Sequence, residues 1–342
     1  MSRKHKPKLG QNFLSDLSAR QRIVDALGDL SIATILEIGP GHGAITDLLA
    51  NRAHRLIAIE LDRALAAELR FRFRNHPNVE ILEADILTTD LPTLFTTNLP
   101  AVDLPATTNA AIPSEPGAPG ERTCSLGWEA GAPGERTCSL GWEAENPPHL
   151  PLATEQSDAN NTTTHIHIIG NLPYYITSDI LLHLFRASLA APGLLSSAVL
   201  MMQREVAERV ASPPGRRDFG LLSATTQMHA IPEILFTLGP DSFSPPPEVD
   251  STVLRLRFHP RFAELGVHPA PFDRFLHQAF AQKRKTLAKN LRHAGFTPTL
   301  LERAWPPHLN PQIRAEATSL EDLAGLHRSL STLPADPAPG SV

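Results

Sequence analysis

The 342-residue sequence predicts an α/β fold: a seven-stranded, mostly parallel sheet followed by a small all-α C-terminal domain. Two observations support this prediction. Short apolar runs alternate with stretches of helical periodicity over most of the chain, and the alternation resumes after a proline-rich segment as though it had not been interrupted. Such alternation is typical of parallel strands joined by helices on both faces of one sheet.

Five apolar runs and the helical stretches after them predict the parallel part of the sheet. We expect strands at Thr34–Ile38, Arg55–Glu60, Val79–Glu83, Thr164–Ile169 and Ser197–Met202, and helices at Gly43–Asn51, Asp62–Arg74, Ser178–Ala187 and Gln203–Ala211. Two more runs are joined by a proline-rich stretch and predict an antiparallel pair at the sheet edge; they are Met228–Leu238 and Ser251–Phe258. From Pro271 to about Leu330 the pattern is helical.

The segment 91–163 differs from its surroundings and is predicted to be a disordered insertion. Residues 91–164 contain ten prolines, and Gly117–Ala130 is repeated without change as Gly131–Ala144. Such a composition offers little apolar surface to bury. We therefore divide the chain into a core domain (1–262, interrupted by 91–163, with the repeat at 117–144), a small helical domain (263–330) and a disordered tail (331–342).

Charge and cysteine content exclude some functional classes. Residues 91–164 carry a net charge of −7 against −5 for the whole chain, so the remaining residues carry +2 and a nucleic-acid partner is compatible with the charge. The two cysteines, Cys124 and Cys138, lie in the repeated peptide and indicate neither a disulfide framework nor a thiolate metal site. Because no long apolar run or secretory signal is evident, we expect a cytoplasmic protein without a membrane partner.

Three successive strand ends carry residues that suit an adenosyl ligand. The first strand runs into Glu37–Gly43, where glycines permit a tight turn and close approach of a ligand. Glu60 ends the second strand and could accept the ribose hydroxyl protons, whereas Asp85, just after the third, could accept a hydrogen bond from an adenine amino group. The alternatives are a turn that only enters a helix and acids that only cap helices or face solvent.

The four residues Asn171-Leu172-Pro173-Tyr174 follow the fourth predicted parallel strand and indicate methylation of an amino group. The Asn171 side-chain oxygen and a backbone carbonyl could hold both N–H groups of an adenine, which would turn the nitrogen lone pair toward a sulfonium methyl group. Tyr174 could stack on the base. The alternative is a proline turn with a buried tyrosine.

Together these motifs resemble the ribosomal RNA adenine dimethyltransferases, which share a fold with the erythromycin-resistance methyltransferases. The resemblance covers residues 3–90 and 164–330, and it is carried by Lys8–Leu14, Glu37–Gly43, Glu60, Glu83–Asp85, Asn171–Tyr174, Phe243–Ser251 and Phe280–Leu291. It implies a Rossmann-like class I methyltransferase fold, S-adenosylmethionine as the methyl donor, and dimethylation of two adjacent adenosines in the 3′-terminal hairpin loop of 16S rRNA during late small-subunit biogenesis.

The resemblance also implies a role for each matching residue. Asn12 and Leu14 would contact the cofactor from the N-terminal arm, Gly39 would lie under its methionine part, Glu60 would bind the ribose and Asp85 the adenine. Asn171 would join cofactor to target within a catalytic group that is completed by Leu172, Pro173 and Tyr174. Phe243 would be a second base-stacking residue, or else a hydrophobic plug. No metal ion is expected.

Basic residues in the helical region predict contact with RNA phosphates. Five positive charges without an acid between Ala279 and Gly295 are expected on one helix; they belong to Lys283, Arg284, Lys285, Lys289 and Arg292. The basic arm of Arg3, Lys4, Lys6 and Lys8 adds a second cluster. A solvated helix face is the alternative. The expected partner is 16S rRNA within the small ribosomal subunit, and the expected state is a monomer.

Two other functions remain open at this stage. One is methylation of large-subunit (23S) rRNA adenine, as in the erythromycin-resistance enzymes. The C-terminal stretches Arg314–Glu316 and Ser319–Glu321 favour the small subunit over it. The other is a non-catalytic RNA-binding ribosome-assembly factor. The intact Asn171–Tyr174 motif and Glu60 disfavour that role.

Overall fold

The computed structural model describes residues 12–97 and 166–334, with the side chains of Thr96 and Thr97 excepted. Its strands are β1 (Phe13–Leu14), β2 (Thr34–Ile38), β3 (Arg55–Glu60), β4 (Val79–Glu83), β5 (Ile166–Asn171), β6 (Leu195–Gln203), β7 (Ala230–Leu238), β8 (Phe243–Ser244) and β9 (Ser251–Phe258). Its α-helices are α1 (Leu17–Asp25), α2 (Thr46–Ala50), α3 (Arg63–Arg72), α4 (Leu91–Thr97), α5 (Thr177–Ala190), α6 (Arg204–Ala211), α7 (Leu221–His229), α8 (Pro269–Ala279), α9 (Leu287–His293), α10 (Pro298–Ala304) and α11 (Leu320–Thr332).

Seven strands form one sheet in the order β4-β3-β2-β5-β6-β9-β7, which confirms the predicted α/β fold. The strands from β4 to β6 are parallel to one another, and β9 pairs antiparallel with β6 on one side and with β7 on the other. The carboxyl ends of β2, β3, β4 and β5 therefore meet at the same edge of the sheet. Ligands of open α/β sheets bind at that edge.

Side-chain alternation along the strands supplies a core on each face of the sheet. In β2, Leu36 and Ile38 belong to one hydrophobic cluster, whereas Ile35 between them belongs to another. The same division separates Ile57 from Leu56 in β3. Because successive strand residues point to opposite faces, a strand that is covered by helices on both sides is apolar throughout. This is why β2 is apolar except for Thr34 and Glu37, and why β3 is apolar between its charged ends, Arg55 and Glu60.

The predicted insertion begins several residues too early. Residues 91–97, assigned to it from composition, form helix α4, and Phe95 is only 1% exposed in the core cluster that also contains Leu91. The two side chains are four residues apart and share one helix face. Asp90 supports the first turn, since its carboxylate accepts hydrogen bonds from the amide and hydroxyl of Thr93. Residues 98–165, including the repeat at 117–144, lie outside the described residues.

The antiparallel strands and the end of the chain also differ from the predicted bounds. Met228 and His229 belong to helix α7, so β7 begins at Ala230. Helix α11 continues to Thr332 and Leu333 packs against the C-terminal cluster, so the predicted tail at 331 starts too early. Residues 335–342 lie outside the described range.

Four helices, α8 to α11, make up most of the C-terminal region. Their hydrophobic cluster includes Phe272, Leu291 and Leu323, and it also takes in Phe219 and Met228 from the segment before β7. The C-terminal helices therefore pack directly against α7, and the described residues fall into one compact unit. The division at residue 262 into two domains stays a prediction.

Candidate cofactor and target site

A cavity of about 300 Å³ opens at the carboxyl edge of the sheet. Its size is at the lower end of the range for small-molecule sites. The structure places all of the sequence-predicted cofactor residues and the four-residue motif in its wall; they are Asn12, Leu14, Gly39, Glu60, Asp85, Asn171, Leu172, Pro173 and Tyr174. Strand topology thus brings together residues that are up to 162 positions apart.

The turn after β2 requires glycine at two positions that line this cavity. Gly39 and Gly41 have φ angles of 64° and 59°, in the left-handed region that other residues rarely adopt. At Gly41 a Cβ atom would also lie 2.9 Å from Cε1 of Phe13, closer than a real contact allows. The turn consequently presents bare backbone to the cavity, as a closely approaching ligand requires.

Glu60 ends β3 with a buried carboxylate, only 4% exposed. Its Oε2 atom accepts a hydrogen bond of 3.0 Å from the Gly41 amide, and Oε1 accepts one of 2.9 Å from the Asp62 amide. Each carboxylate oxygen can accept a second hydrogen bond. Glu60 therefore fixes the glycine turn and keeps acceptor capacity that faces the cavity.

Asp85 follows β4 and is half-buried in the same wall. Its Oδ1 atom accepts a hydrogen bond of 2.9 Å from the Leu87 amide, which holds the side chain in place. Within the described residues, Oδ2 accepts no hydrogen bond from another side chain or amide. One oxygen of a fixed carboxylate is thus available to a ligand.

Glu37 is a titratable wall residue to which sequence analysis gave no role of its own. It lies in β2, is 2% exposed, and its Oε2 atom accepts a 2.8 Å hydrogen bond from the Thr46 hydroxyl. Burial raises the pKa of Glu37 to about 8, and the nearby charges of Asp47 and Glu60 act in the same direction, whereas the bond from Thr46 opposes them. The sequence feature that could have identified Glu37 as a wall residue is an acid inside a mostly apolar strand.

The Asn171–Tyr174 motif forms the turn that leaves β5. The Leu172 amide donates to the Met201 carbonyl at 2.9 Å, and the buried Leu172 side chain anchors the turn in the core. The Asn171 Nδ2 atom donates to the Asn12 carbonyl at 3.0 Å. Since that carbonyl can only accept, the amide nitrogen must face it, and Oδ1 is left as the acceptor.

Two adjacent tyrosines line the cavity and differ in how they are held. The Tyr174 and Ser251 hydroxyls share a 2.7 Å hydrogen bond, and the Tyr174 ring is half-buried. Tyr175 is 61% exposed. Sequence analysis singled out Tyr174 and missed Tyr175, for which the adjacent aromatic residue was the only signal. Of the two tyrosine rings in the cavity wall, one is therefore fixed and the other is open to solvent.

Phe243 does not occupy the position that base stacking requires. It lies in β8, pairs with Leu14 in β1, and is only 4% exposed within a hydrophobic cluster that includes Leu238. It is not among the residues of the cavity wall. The base-stacking prediction for Phe243 is wrong in this structure, because the antiparallel β1–β8 pair buries the ring and makes it the plug that was the alternative.

The predicted basic helix is in fact a turn followed by a helix. Lys283, Arg284 and Lys285 are exposed in the connection between α8 and α9, whereas Lys289 and Arg292 lie on α9. No proline or glycine marks this break. Instead, the buried Asn290 amide donates to the Ala279 and Gln282 carbonyls, and Thr286 caps α9. Residues 1–11, with the basic arm, lie outside the described residues.

The described residues contain neither a metal-binding group nor a membrane-spanning helix. Among residues 12–97 and 166–334, no group of three or more histidine, cysteine, aspartate or glutamate side chains could hold a metal ion. No helix within the same ranges is both long enough and apolar enough to cross a bilayer.

Comparison with known proteins assigns this geometry to a family. The model of the ribosomal RNA adenine dimethylase family matches residues 2–323. Proteins named ribosomal RNA small subunit methyltransferase A are similar in sequence: that of Koribacter versatilis is 46% identical, with 95% of this chain and 94% of the relative covered, and that of Acidobacterium capsulatum is 45% identical, with 96% and 93% covered.

Two solved structures share the fold. A dimethyladenosine transferase from Plasmodium falciparum superposes with a TM-score of 0.59 at 19% identity, covering 92% of this chain and 95% of its own. The 23S rRNA methyltransferase ErmE gives a TM-score of 0.55 at 22% identity, covering 94% and 100%. The family match over nearly the whole chain, together with two relatives above 40% identity, shows that this protein belongs to the ribosomal RNA adenine dimethylase family.

Proposed function

We propose that this enzyme transfers methyl groups from S-adenosylmethionine to the exocyclic amino groups of two adjacent adenosines in the 3′-terminal hairpin loop of 16S rRNA, giving dimethyladenosines in late small-subunit biogenesis. The observation that carries the proposal is the single cavity wall shared by Glu60, Asp85 and Asn171 in a member of the rRNA adenine dimethylase family. The small-subunit names of the two relatives support the choice of RNA.

The cavity residues fit the chemistry of S-adenosylmethionine. Spare acceptor capacity on the Glu60 carboxylate suits the ribose hydroxyls, and the open Oδ2 of Asp85 suits an adenine amino group. Gly39 would lie under the methionine part, with Asn12 and Leu14 closing the site from the N-terminal side. When bound, the cofactor supplies a methyl group on a positively charged sulfonium, which nearby carboxylates favour.

Asn171 is the proposed positioning group for the target amine. Its Nδ2 atom is held by the Asn12 carbonyl, so Oδ1 has a fixed direction and can accept from one N–H of the target. A held acceptor limits rotation of the amine and favours a tetrahedral nitrogen, which is the nucleophilic form. Leu172 and Pro173 act through the turn that they fix. The amine proton can leave to water after transfer.

The two tyrosines provide the surface for the target base. Tyr174, held by Ser251, would stack on the adenine from one side. A base that is removed from its RNA stack loses stacking energy, and an aromatic ring in the cavity wall compensates for part of that loss. We place Tyr175 at the entrance, where its exposed ring would meet the target base or its neighbour.

The partner and setting follow from the substrate. Ribosomal RNA is the substrate class of the family, and we propose that 16S rRNA within the small subunit is the physical partner of this chain, with the exposed residues Lys283, Arg284, Lys285 and Lys289 on its phosphates. We further propose that the enzyme acts in the cytoplasm, where ribosomes assemble, and as a monomer.

One experiment separates this proposal from its two rivals. Purified protein is incubated with labelled S-adenosylmethionine and either unmethylated small subunits or large subunits, and the RNA is digested for nucleoside mass spectrometry. We expect dimethyladenosine in small-subunit RNA only, with two modified residues per particle. Label confined to large-subunit RNA would select the 23S activity, and RNA binding without label would select the non-catalytic factor.

A further inference from the structure

The loop between α6 and α7 carries two exposed arginines to which neither the sequence analysis nor the comparisons gave a role. Arg216 and Arg217 lie in residues 213–218, and neither forms an ion pair or side-chain hydrogen bond within the described ranges. Many other arginines of the described chain are neutralised, as in the Arg204–Asp250 and Arg255–Glu233 pairs. Arg216 and Arg217 therefore offer uncompensated charge to a partner.

This arginine loop (213–218) is anchored on the C-terminal region. The Gly215 amide donates to the Glu316 carbonyl at 2.8 Å. Directly after the loop, the fully buried Phe219 ring packs edge-on against Phe280 with centroids 5.9 Å apart. The loop is therefore held at both points, against residues that flank the C-terminal helices.

The cationic turn and its helix (283–289) are anchored on the same segment. The Leu287 amide donates to the Ile313 carbonyl at 2.8 Å, and Phe280 immediately precedes the turn. Residues 313 and 316, which receive the two anchoring bonds, are at most about 11 Å apart along the chain. The arginine loop and the cationic turn are thus neighbours on the surface, although about 70 residues separate them in sequence.

The charges of the two segments add up to a strongly positive surface. They contribute Arg216, Arg217, Lys283, Arg284, Lys285 and Lys289, all exposed, against the single acid Asp218, for a net charge of +5. Arg314 and Glu316 of the shared anchoring segment cancel each other. Exposed cations on fixed backbone are suited to phosphates, which guanidinium groups bind with two parallel hydrogen bonds.

We propose that the arginine loop and the cationic turn form one phosphate-binding surface, so that a single bound RNA contacts both. This inference rests on the proposed function, since it takes ribosomal RNA as the ligand. It adds Arg216 and Arg217, contributed by the segment before β7, to the RNA contacts that the sequence assigned to the C-terminal region and the N-terminal basic arm.

Salt dependence of RNA binding tests the proposal. Affinities of small-subunit ribosomal RNA transcribed in vitro are measured between 0.1 M and 1 M salt for the wild type and for Arg216→Gln/Arg217→Gln. The variant with Lys283, Arg284, Lys285 and Lys289 replaced by Gln is the reference. The matched control is Arg63→Gln/Arg74→Gln, which removes two exposed arginines in and just after α3, beside the β4 end of the sheet, away from β7.

We expect the arginine-loop variant to bind with a salt slope shallower by about 1.4–1.8, from roughly 0.7–0.9 per lost phosphate contact. Its affinity deficit should then grow about 25–60-fold between 1 M and 0.1 M salt. The control should keep the wild-type slope, and calorimetry should show unchanged S-adenosylmethionine affinity in every variant.

The outcomes distinguish this surface from the proposed function itself. If the four-residue variant loses slope while the arginine-loop variant behaves as the wild type, the shared surface is refuted and RNA binding remains with the cationic turn. Wild-type protein that transfers methyl groups but binds this RNA without salt dependence also refutes it. Wild-type protein that transfers no methyl group to small-subunit RNA contradicts the proposed function instead.

Discussion

The cavity at the sheet edge and the basic surface of the C-terminal region differ in how their residues are positioned. Glu60, Asp85 and Asn171 stand at the ends of β3 to β5 or just after them, where parallel topology brings them together. The pairing of β1 with β8 adds Asn12 and Leu14 to the same wall. The basic turn forms because the side-chain amide of buried Asn290 donates hydrogen bonds to the carbonyls of Ala279 and Gln282. The first arrangement follows from sequence patterns at the strand ends, and the second depends on the hydrogen bonds of one buried side chain, which no such pattern reveals.

This difference predicts that the two regions can be disabled separately. Changes in the cavity should alter chemistry or cofactor affinity and leave RNA affinity intact, whereas changes on the surface should do the reverse. Of the four predictions that follow, in descending order of expected effect, the first two test this separation and the last two test what the buried acid and the segment 99–162 contribute to stability.

Asn171→Ala should lower the single-turnover rate of methyl transfer by roughly 10²–10³, because the target amine loses its fixed acceptor. Cofactor affinity should stay within a modest factor, and RNA affinity should not change. Asn51→Ala, which removes an exposed amide bonded to the Asp47 carbonyl, is the control and should transfer at the wild-type rate. Near-normal transfer by Asn171→Ala would contradict the positioning role.

Glu60→Ala should weaken S-adenosylmethionine binding by about 1.5–3 kcal/mol, since the ribose hydroxyls lose a charged acceptor. The Gly41 and Asp62 amides lose their acceptor too, so the thermal stability of the variant must be measured beside its calorimetric affinity. Glu83→Ala is the matched control, because Glu83 ends the neighbouring strand and does not line the cavity. If the two variants bound S-adenosylmethionine with equal affinity, Glu60 would have a structural role and would not bind the cofactor.

Glu37→Gln should change how stability depends on pH. Burial raises the pKa of the folded carboxyl to about 8 against 4.5 in the unfolded chain. The stability that the protonated acid contributes is therefore fully present below pH 4.5 and is lost as pH rises through 8. Relative to Glu37→Gln, the free energy of unfolding of the wild type should fall by up to about 1.4 kcal/mol per pH unit between pH 4.5 and pH 8. Parallel denaturation curves from pH 5 to 8 would contradict this.

Replacing residues 99–162 with a short Gly/Ser linker should have the smallest effect. That segment is rich in proline and acid, and lengthening a surface loop costs only about 0.6 kcal/mol per doubling. The linker must leave Phe95 in place, since its ring is part of the core. For a linker of about 16 residues, roughly two halvings of the segment length, we expect an unfolding free energy within about 1.2 kcal/mol of the wild type and normal methyl transfer. A variant that misfolds would assign the segment a structural role.

The sequence predicted the sheet and the cavity better than the surface, for identifiable reasons. Glu60 and Asp85 were found because acids at the ends of apolar runs are conspicuous. Phe243 was misassigned, since its burial follows from the pairing of β8 with β1, more than 200 residues earlier in the chain. Composition placed residues 91–97 in the insertion because the Leu91–Phe95 pair is too short a signal.

We propose that the strand ends form the cofactor site. A crystal structure of the protein with S-adenosylhomocysteine, the demethylated cofactor, tests this most directly. We expect the ribose hydroxyl oxygens about 2.6–3.0 Å from the Glu60 carboxylate, the adenine amino group on Asp85 and the sulfur facing Asn171. A ligand bound elsewhere, or bound in this cavity without contact to Glu60 and Asp85, would contradict it.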